Sequence, residues 1–385
     1  MGKAPRLFDL CMVAIKDELL HGDDNNDILS VIYGLPSELF DCFLPHLPPL
    51  ALHKLQENMP MDLRDDFESA NDYKYNKKYR KRRRCGILDT AWRELYKIRW
   101  PGYGQQKQVD VWLNKHAETK CDSMVDWQQM YWEAHLQDCV DAVAETAWIP
   151  SYDGSIGEIR IPDAILEVIG CRVHLNKLTC NYLKFFYHCQ QFGIYARYLR
   201  LPNVLCVAET CLLLQSSKLG SLDLQWIKSN DHVEGLCKLL NQNSDTLKSL
   251  EFIHCKLSPT FINAICDSLH MKGLKIHGIE HFSMKRSSFL LIDSSPIPVG
   301  LASFLTNGRS LRSLTLCDDQ LGRNFARVIF NSLLDASASI SILDLSENNV
   351  CDFRFSFSVS VEIIKLHTWI RQVIELITSA EFEVL

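Results

Sequence analysis

The stretch LKSLEFIHCKL, Leu247 to Leu257, decides how the second half of this chain is read. Leu250 and Phe252 stand two residues apart, the spacing of a strand with one buried face, and Leu247 precedes Leu250 by three. Related stretches begin at Leu311 (LRSLTLCDDQL) and Ile340 (ISILDLSENNV), and partial ones at Leu219 (LGSLDLQWI) and Met271 (MKGLKIHGI). From Leu219 to Ile340 their start-to-start spacings are 28, 24, 40 and 29 residues. Segments of helical character such as SPTFINAICDSL lie between them, and SSFLLIDSSPIPVG reads as an insertion in the longest interval. The recurring unit is therefore a strand followed by a helix, which cannot bury its apolar side alone.

The pattern L-x-x-L-x-L-x-x-N/C-x-L is that of leucine-rich repeats, with Cys255, Asp319 and Asn348 at the N/C position. It predicts a ribonuclease-inhibitor-like leucine-rich repeat solenoid over residues 149–350. Residues between the leucine positions are expected on the concave face, and Ser249, Glu251, Ile253, Lys275, Ser313 and Thr315 are the candidates to hold a target. They are varied and partly polar, as a partner surface is. Residues 351–385 depart from the pattern: FRFSFSVSV alternates as a strand and LHTWIRQVIELI reads as a short amphipathic helix, a cap or atypical tail.

The 385 residues carry 47% hydrophobic and 23% charged residues, an ordinary globular balance. No run of apolar residues is long enough to span a bilayer, and Lys16, Asp17 and Glu18 interrupt the first one before it resembles a secretory signal. The expectation is a soluble intracellular protein. Its 15 cysteines are an odd number, scattered among Leu, Ile and Phe without a Cys-x-x-Cys pair, and read as small buried hydrophobes. Cys171, His174, Cys180, His188 and Cys189 cluster in sequence, but their spacings match no common zinc framework. No metal or other cofactor is expected. No Gly-x-Gly-x-x-Gly, Walker A, His-Glu-x-x-His or Gly-x-Ser-x-Gly motif is present, which argues against an enzyme.

Charge is uneven. KYNKKYRKRRR, Lys74 to Arg84, holds eight basic residues and no acid, and without it the formal charge falls from −6 to −14. So acidic a remainder is poorly suited to direct nucleic-acid binding, where phosphate contacts dominate affinity. The run reads as an exposed linker over 61–88, and Lys77, Lys78, Arg80, Lys81, Arg82, Arg83 and Arg84 as a nuclear localisation signal. The protein is expected in the nucleus and also in the cytoplasm.

The N-terminal residues are read as helices parted by turn signals. Leu7, Cys11 and Ile15 fall at i, i+4 and i+8, one stripe of a first helix that suits either a core or another protein's groove. GLPSELFDCFL starts a helix with Pro36 near its first turn, and PPLALHKLQENMP another. LDTAWRELYKIRWPG and DWQQMYWEAHLQDCVDAVAETAW are periodic helices rich in Trp and Tyr.

On these motifs, residues 5 to 140 resemble elongin A and related substrate receptors that bind elongin C through a BC box. Leu7, Cys11 and Ile15 match that box; Leu35, Pro36, Leu39 and Phe43 match the spacing of the cullin box that follows it. LHKLQENMP with DTAWREL, and DWQQMYWEAHLQD, are similar to the later elongin A helices. The resemblance implies BC-box and cullin-box (F-box-like) helices over 1–60 and elongin A-like helices over 89–148; with the basic linker over 61–88 and the repeat arc and tail, which elongin A lacks, the expected fold is an α + α/β chain. The resemblance also implies elongin C, elongin B and a cullin as partners, with a protein substrate on the repeats and no membrane. LPSELFDCFLPHLPPLALHKL also resembles an F-box opening, which would imply an SKP-type adaptor instead. A repeat scaffold with no ligase link is the third reading.

If the basic run is an import signal, replacing Arg80 to Arg84 with alanines shifts a fluorescently tagged chain from nucleus to cytoplasm. An unchanged distribution would leave the run as solvated charge.

Overall fold

The computed structural model describes residues 7–21, 27–59, 75–101, 125–147, 161–171, 181–202, 205, 212–227, 233–270, 276–289, 298–317, 328–329, 331–333, 340–346, 348 and 358–360. They divide into two compact units, residues 1–142 with 159–185, and residues 143–158 with 186–385. Among the described residues no single helix is long and apolar enough to cross a membrane.

The first unit is helical. Helix α1 (Leu7–His21), α2 (Asp27–Gly34), α3 (Ser37–Phe43) and α4 (Pro49–Glu57) lead the chain. Prolines set the starts of two of them. Pro36 precedes α3, and Pro48 precedes α4 with Pro49 as its first residue, where a missing N–H leaves no bond unmade. Met12 and Leu19 of α1, Ile32 and Tyr33 of α2, Phe40 and Phe43 of α3, and Leu52 and Leu55 of α4 are buried together. Gly170 takes φ +90, a conformation costly for a side-chain-bearing residue, and any Cβ there would lie 2.8 Å from that of Pro48. That close approach seats α7 (Asp163–Val168) against the start of α4, where Leu50 N donates to Ile169 O at 3.1 Å.

Helix α5 (Tyr75–Arg99) takes in the basic run from Tyr75 onward, so Tyr75 to Arg84 are helical where a linker over 61–88 is expected. Arg and Lys are good helix formers, and the helix continues into the apolar periodicity of Leu88, Trp92 and Tyr96. It meets α6 (Trp127–Ala147), whose first turn is capped by Asp126 Oδ1 accepting from Gln129 N at 2.9 Å. Trp92 lies 5.4 Å from Tyr131 and 5.6 Å from Trp132 between ring centres, and Tyr96 lies 5.8 Å from Trp127. His53 of α4 packs edge-on to Trp132 at 5.2 Å, and Trp92 Nε1 donates to Gln56 Oε1 at 2.6 Å. Arg99 forms a 2.9 Å ion pair with Asp138 and lies over the Trp100 ring at 4.5 Å. Burial raises the Asp138 carboxyl more than Arg99 lowers it. The Trp- and Tyr-rich helices α5 and α6 thus supply the aromatic core of this unit.

The second unit is built on one sheet. Its strands are β1 (Tyr198–Pro202), β2 (Ser221–Gln225), β3 (Ser249–Ile253), β5 (His281–Lys285), β7 (Ser313–Cys317), β8 (Ile342–Asp344) and β9 (Ser358–Ser360), hydrogen-bonded in that order. The first six are parallel and β9 closes the edge antiparallel. Short strands β4 (Lys256–Leu257) and β6 (Ser288–Phe289) pair beside it. Registers are strict, with Leu222, Leu250, Phe282, Leu314 and Leu343 in one row and Leu224, Phe252, Met284 and Leu316 in the next. All of these are buried. The crossovers carry α9 (Val233–Gln242), α10 (Pro259–Ser268) and α11 (Val299–Thr306), which pack on one another in sequence. Ser258 caps α10, its Oγ accepting from Phe261 N. The remaining helix, α8 (Asn181–Phe192), precedes β1.

The described architecture is an α/β sheet, and it corrects the expected ribonuclease-inhibitor-like leucine-rich repeat solenoid. The L-x-x-L-x-L spacing reports a strand with one apolar face, which a parallel sheet under crossover helices uses equally well. The crossovers here are unequal, two of them carry the extra β4–β6 pair, and the last strand reverses direction. Among the described residues no uniform unit is stacked. The side chains at the N/C positions nevertheless tie neighbouring strands. Cys255 Sγ donates to Leu224 O at 3.6 Å, and Asn348 Nδ2 donates to Leu316 O at 2.5 Å. Asp319 lies outside the described residues.

His277 gives this unit a pH dependence. Its ring stacks on Phe304 at 3.8 Å, its Nε2 donates to Phe304 O at 2.9 Å, and its Nδ1 accepts from Ile279 N at 3.2 Å. Both nitrogens are engaged in the neutral form, and burial lowers the pKa from 6.5 to about 4. The unfolded chain therefore binds this proton first. Stability is fully present above 6.5 and is lost as pH falls toward 4. At pH 5 the loss from this group is about 2 kcal/mol. Thermal melts at pH 7 and pH 5 should show a smaller drop for His277→Gln than for the parent; equal drops would refute the assignment.

Candidate functional site

In α1, Cys11 is exposed and Ile15 half-buried, while Leu7 has its side chain outside the described set. The predicted stripe therefore runs along the border of the helix's buried side, which is made by Met12 and Leu19. Leu10 and Val13 stand out further, at 53% and 57% exposed. The helix has a core side and a second apolar side that the unit does not cover.

Of the four residues expected in the cullin box, Pro36 and Leu39 are exposed and Leu35 is half-buried. Phe43 is 2% exposed, which removes it from any docking role. It shares the inward side of α3 with Phe40 at a three-residue spacing and belongs to the core. Val31 of α2, at 62% exposed, was not legible as a surface residue, because β-branched apolar residues in a helix ordinarily read as core. The basic residues Lys77 to Arg84 are helical, with side chains outside the described set.

On the sheet, the residues between the leucine positions form rows on the face opposite the buried leucines. One row runs Arg200, Asp223, Glu251, Ser283, Thr315 and Asp344. Another carries Ser249 beside His281 and Ser313. The structure thus brings Ser249, Glu251, Ile253, Ser313 and Thr315 onto one face, although Ser249 itself is buried. Lys275 lies outside the described residues. The acids of this face have partners. The Tyr198 hydroxyl donates to Asp223 Oδ2. Glu251 accepts from Ser283 Oγ at 2.8 Å and pairs with Lys285 Nζ at 2.7 Å. Burial lowers the Lys285 amine, but the hydrogen bond to Glu251 and the negative charges of Glu251 and Asp223 leave it raised overall.

Beyond the row ends lies a feature that sequence reading missed. Trp226, His254 and Arg286 each follow the last residue of a strand, and each has a positive φ, of 60, 55 and 51. Their backbone N–H groups donate to Ile253 O, Lys285 O and Cys317 O, the last carbonyls of the next strands. Trp226 and His254 stack at 4.4 Å with 15° between ring planes. Aligning the strands by their last residue would have shown the three in one column, but nothing local marks them.

The buried cysteines behave as hydrophobes. Burial pushes the thiols of Cys171 and Cys255 up to about 11, and those of Cys139 and Cys266 higher still, so none is a ready nucleophile. His174 and Cys180 of the sequence cluster lie outside the described residues. The chain matches no protein-family model and no curated protein.

The Glu251–Lys285 pair is half-exposed, so Glu251→Gln should cost less than about 1 kcal/mol in chemical denaturation. Leu250→Asp instead buries a charge between Leu222 and Phe282 and should abolish the cooperative transition of this unit. A large loss for Glu251→Gln would mean that the face is held by charge and cannot be altered independently of the fold.

Proposed function

We propose that this chain is the substrate-recognition subunit of an elongin BC–cullin ubiquitin ligase. Its N-terminal helices dock on elongin C and the cullin, and the open face of its sheet holds the target protein. It performs no chemistry itself; ubiquitin transfer belongs to the associated subunits. The observation that supports this reading best is the second apolar side of α1: Leu10, Cys11 and Val13 are exposed while Met12 and Leu19 already serve the core. An apolar side left open on a helix suits insertion into a partner's groove. Pro36 and Leu39, also exposed, supply the second contact that the resemblance assigns to the cullin.

Energetics require both contacts. Each buried Leu or Val side chain contributes roughly 1.5–3 kcal/mol. Association costs an estimated 4–15 kcal/mol in lost rigid-body freedom. One short helix barely offsets that, and a second docking segment makes the complex stable. The nuclear location expected from the basic run is compatible with such a ligase.

Leu7→Ser combined with Cys11→Ser should abolish capture of elongin C from cells, and Cys11→Ser alone should leave the melt of the chain unchanged, because Cys11 is exposed. Capture at the parent level by the double variant would refute the BC-box reading. Recovery of an SKP-type adaptor in place of elongin C would identify an F-box receptor instead.

A further inference from the structure

Three consecutive strands of the parallel sheet end in the same unusual way. Trp226 after β2, His254 after β3 and Arg286 after β5 all sit in the left-handed region of φ. That conformation favours Gly and, among the others, Asn, Asp and His; it is uncommon for residues such as Trp226 and Arg286. Only the backbone is needed for the bond each makes to the next strand, so a glycine would serve the fold as well or better. The chain instead places an indole, an imidazole and a guanidinium there, aligned by strand register along the carboxyl rim. Strain of this kind, repeated at equivalent positions, marks side chains retained for a use other than stability.

The rim's surface has a definite chemistry. Trp226 is exposed and stacked on His254, which makes a flat aromatic platform. Arg286 and Lys256 are exposed beside it, one after β5 and the other two residues beyond His254. Among the described residues, the acids of the adjoining row are Asp223, Glu251 and Asp344, the last of which accepts from Ser346 N at 3.0 Å. Asp223 accepts from Tyr198, and Glu251 is paired with Lys285. The rim therefore offers cations next to an aromatic face, with the neighbouring carboxylates already engaged.

We propose that this rim binds an acidic protein segment, which lays an aromatic or proline side chain on the Trp226–His254 stack and sets its carboxylates on Arg286 and Lys256. Charge complementarity selects this occupant. A nucleic acid would place a phosphate at every residue, more negative charge than the exposed Arg286 and Lys256 match. The inference deepens the proposed function by naming the target's chemistry, but the rim's binding does not depend on any ligase partner.

The test is fluorescence anisotropy with the full chain and no elongin present. The probe is a short labelled peptide in which a Tyr-Pro pair is flanked by Asp and Glu. Its controls are the same peptide with Lys for every acid, and a labelled oligothymidylate of equal charge. The acidic peptide should bind, and bind more weakly as salt rises. Trp226→Ala and Arg286→Gly should each weaken it by about tenfold or more. Arg286→Gly carries the decisive control: glycine accepts the backbone conformation, so its melting temperature should be unchanged or higher while binding is lost. Equal binding by both variants and the parent would overturn the proposal, as would equal binding of the lysine peptide or preferred binding of the oligothymidylate. Elongin C capture by Trp226→Ala should be unaffected, so a failure of the rim and a failure of the ligase reading give different results.

Discussion

The second unit depends on the strict alternation of its strands, repeated in register across the sheet. Leu222, Leu250, Phe282, Leu314 and Leu343 can share one buried row only because every strand presents the same phase at the same height. A slip of one residue in any strand would turn its leucines outward and its polar residues inward. Everything else in the unit follows from that row. One face is apolar, and the other is free to vary. The carboxyl ends of the strands come level, so residues just past them form a line that no local signal defines.

The helical unit rests on a different interaction, the interleaving of aromatic rings from three helices. Trp92 and Tyr96 on α5 meet Trp127, Tyr131 and Trp132 on α6, and His53 joins from α4. Such rings bury large areas, and their edges carry polar groups that need partners, which Gln56 and Asp138 supply. This core leaves α1 with an uncovered apolar side. Function in this unit is then a matter of what the core does not use.

Both units therefore carry candidate surfaces made of what remains after packing. The open side of α1 and the rim of the sheet are alike in this respect, though one is apolar and the other cationic and aromatic. They differ in how firmly the backbone holds them. The α1 side chains stand on an ordinary helix, whereas Trp226, His254 and Arg286 occupy a conformation that is costly unless the next strand's carbonyl secures it.

Much of the local structure was legible in the sequence. The strand at LKSLEFI, the helix at SPTFINAICDSL and the starts of α3 and α4 at their prolines all follow from periodicity and backbone chemistry within a few residues. So does the placing of Glu251 and Thr315 on one face of the sheet, since alternation alone separates them from Leu250 and Leu314. Other features were decided only by tertiary structure. The spacing of leucines was compatible with a stacked solenoid, but unequal crossovers and an antiparallel last strand make an α/β sheet. Phe43 fits a docking motif by spacing yet lies in the core, because the side a helical residue faces depends on what the neighbouring helices cover. The Trp226–His254–Arg286 column exists only once three strands are aligned. Periodicity reports which side of an element is apolar. It carries no information on which partner that side meets, and that choice belongs to contacts between residues far apart in the chain.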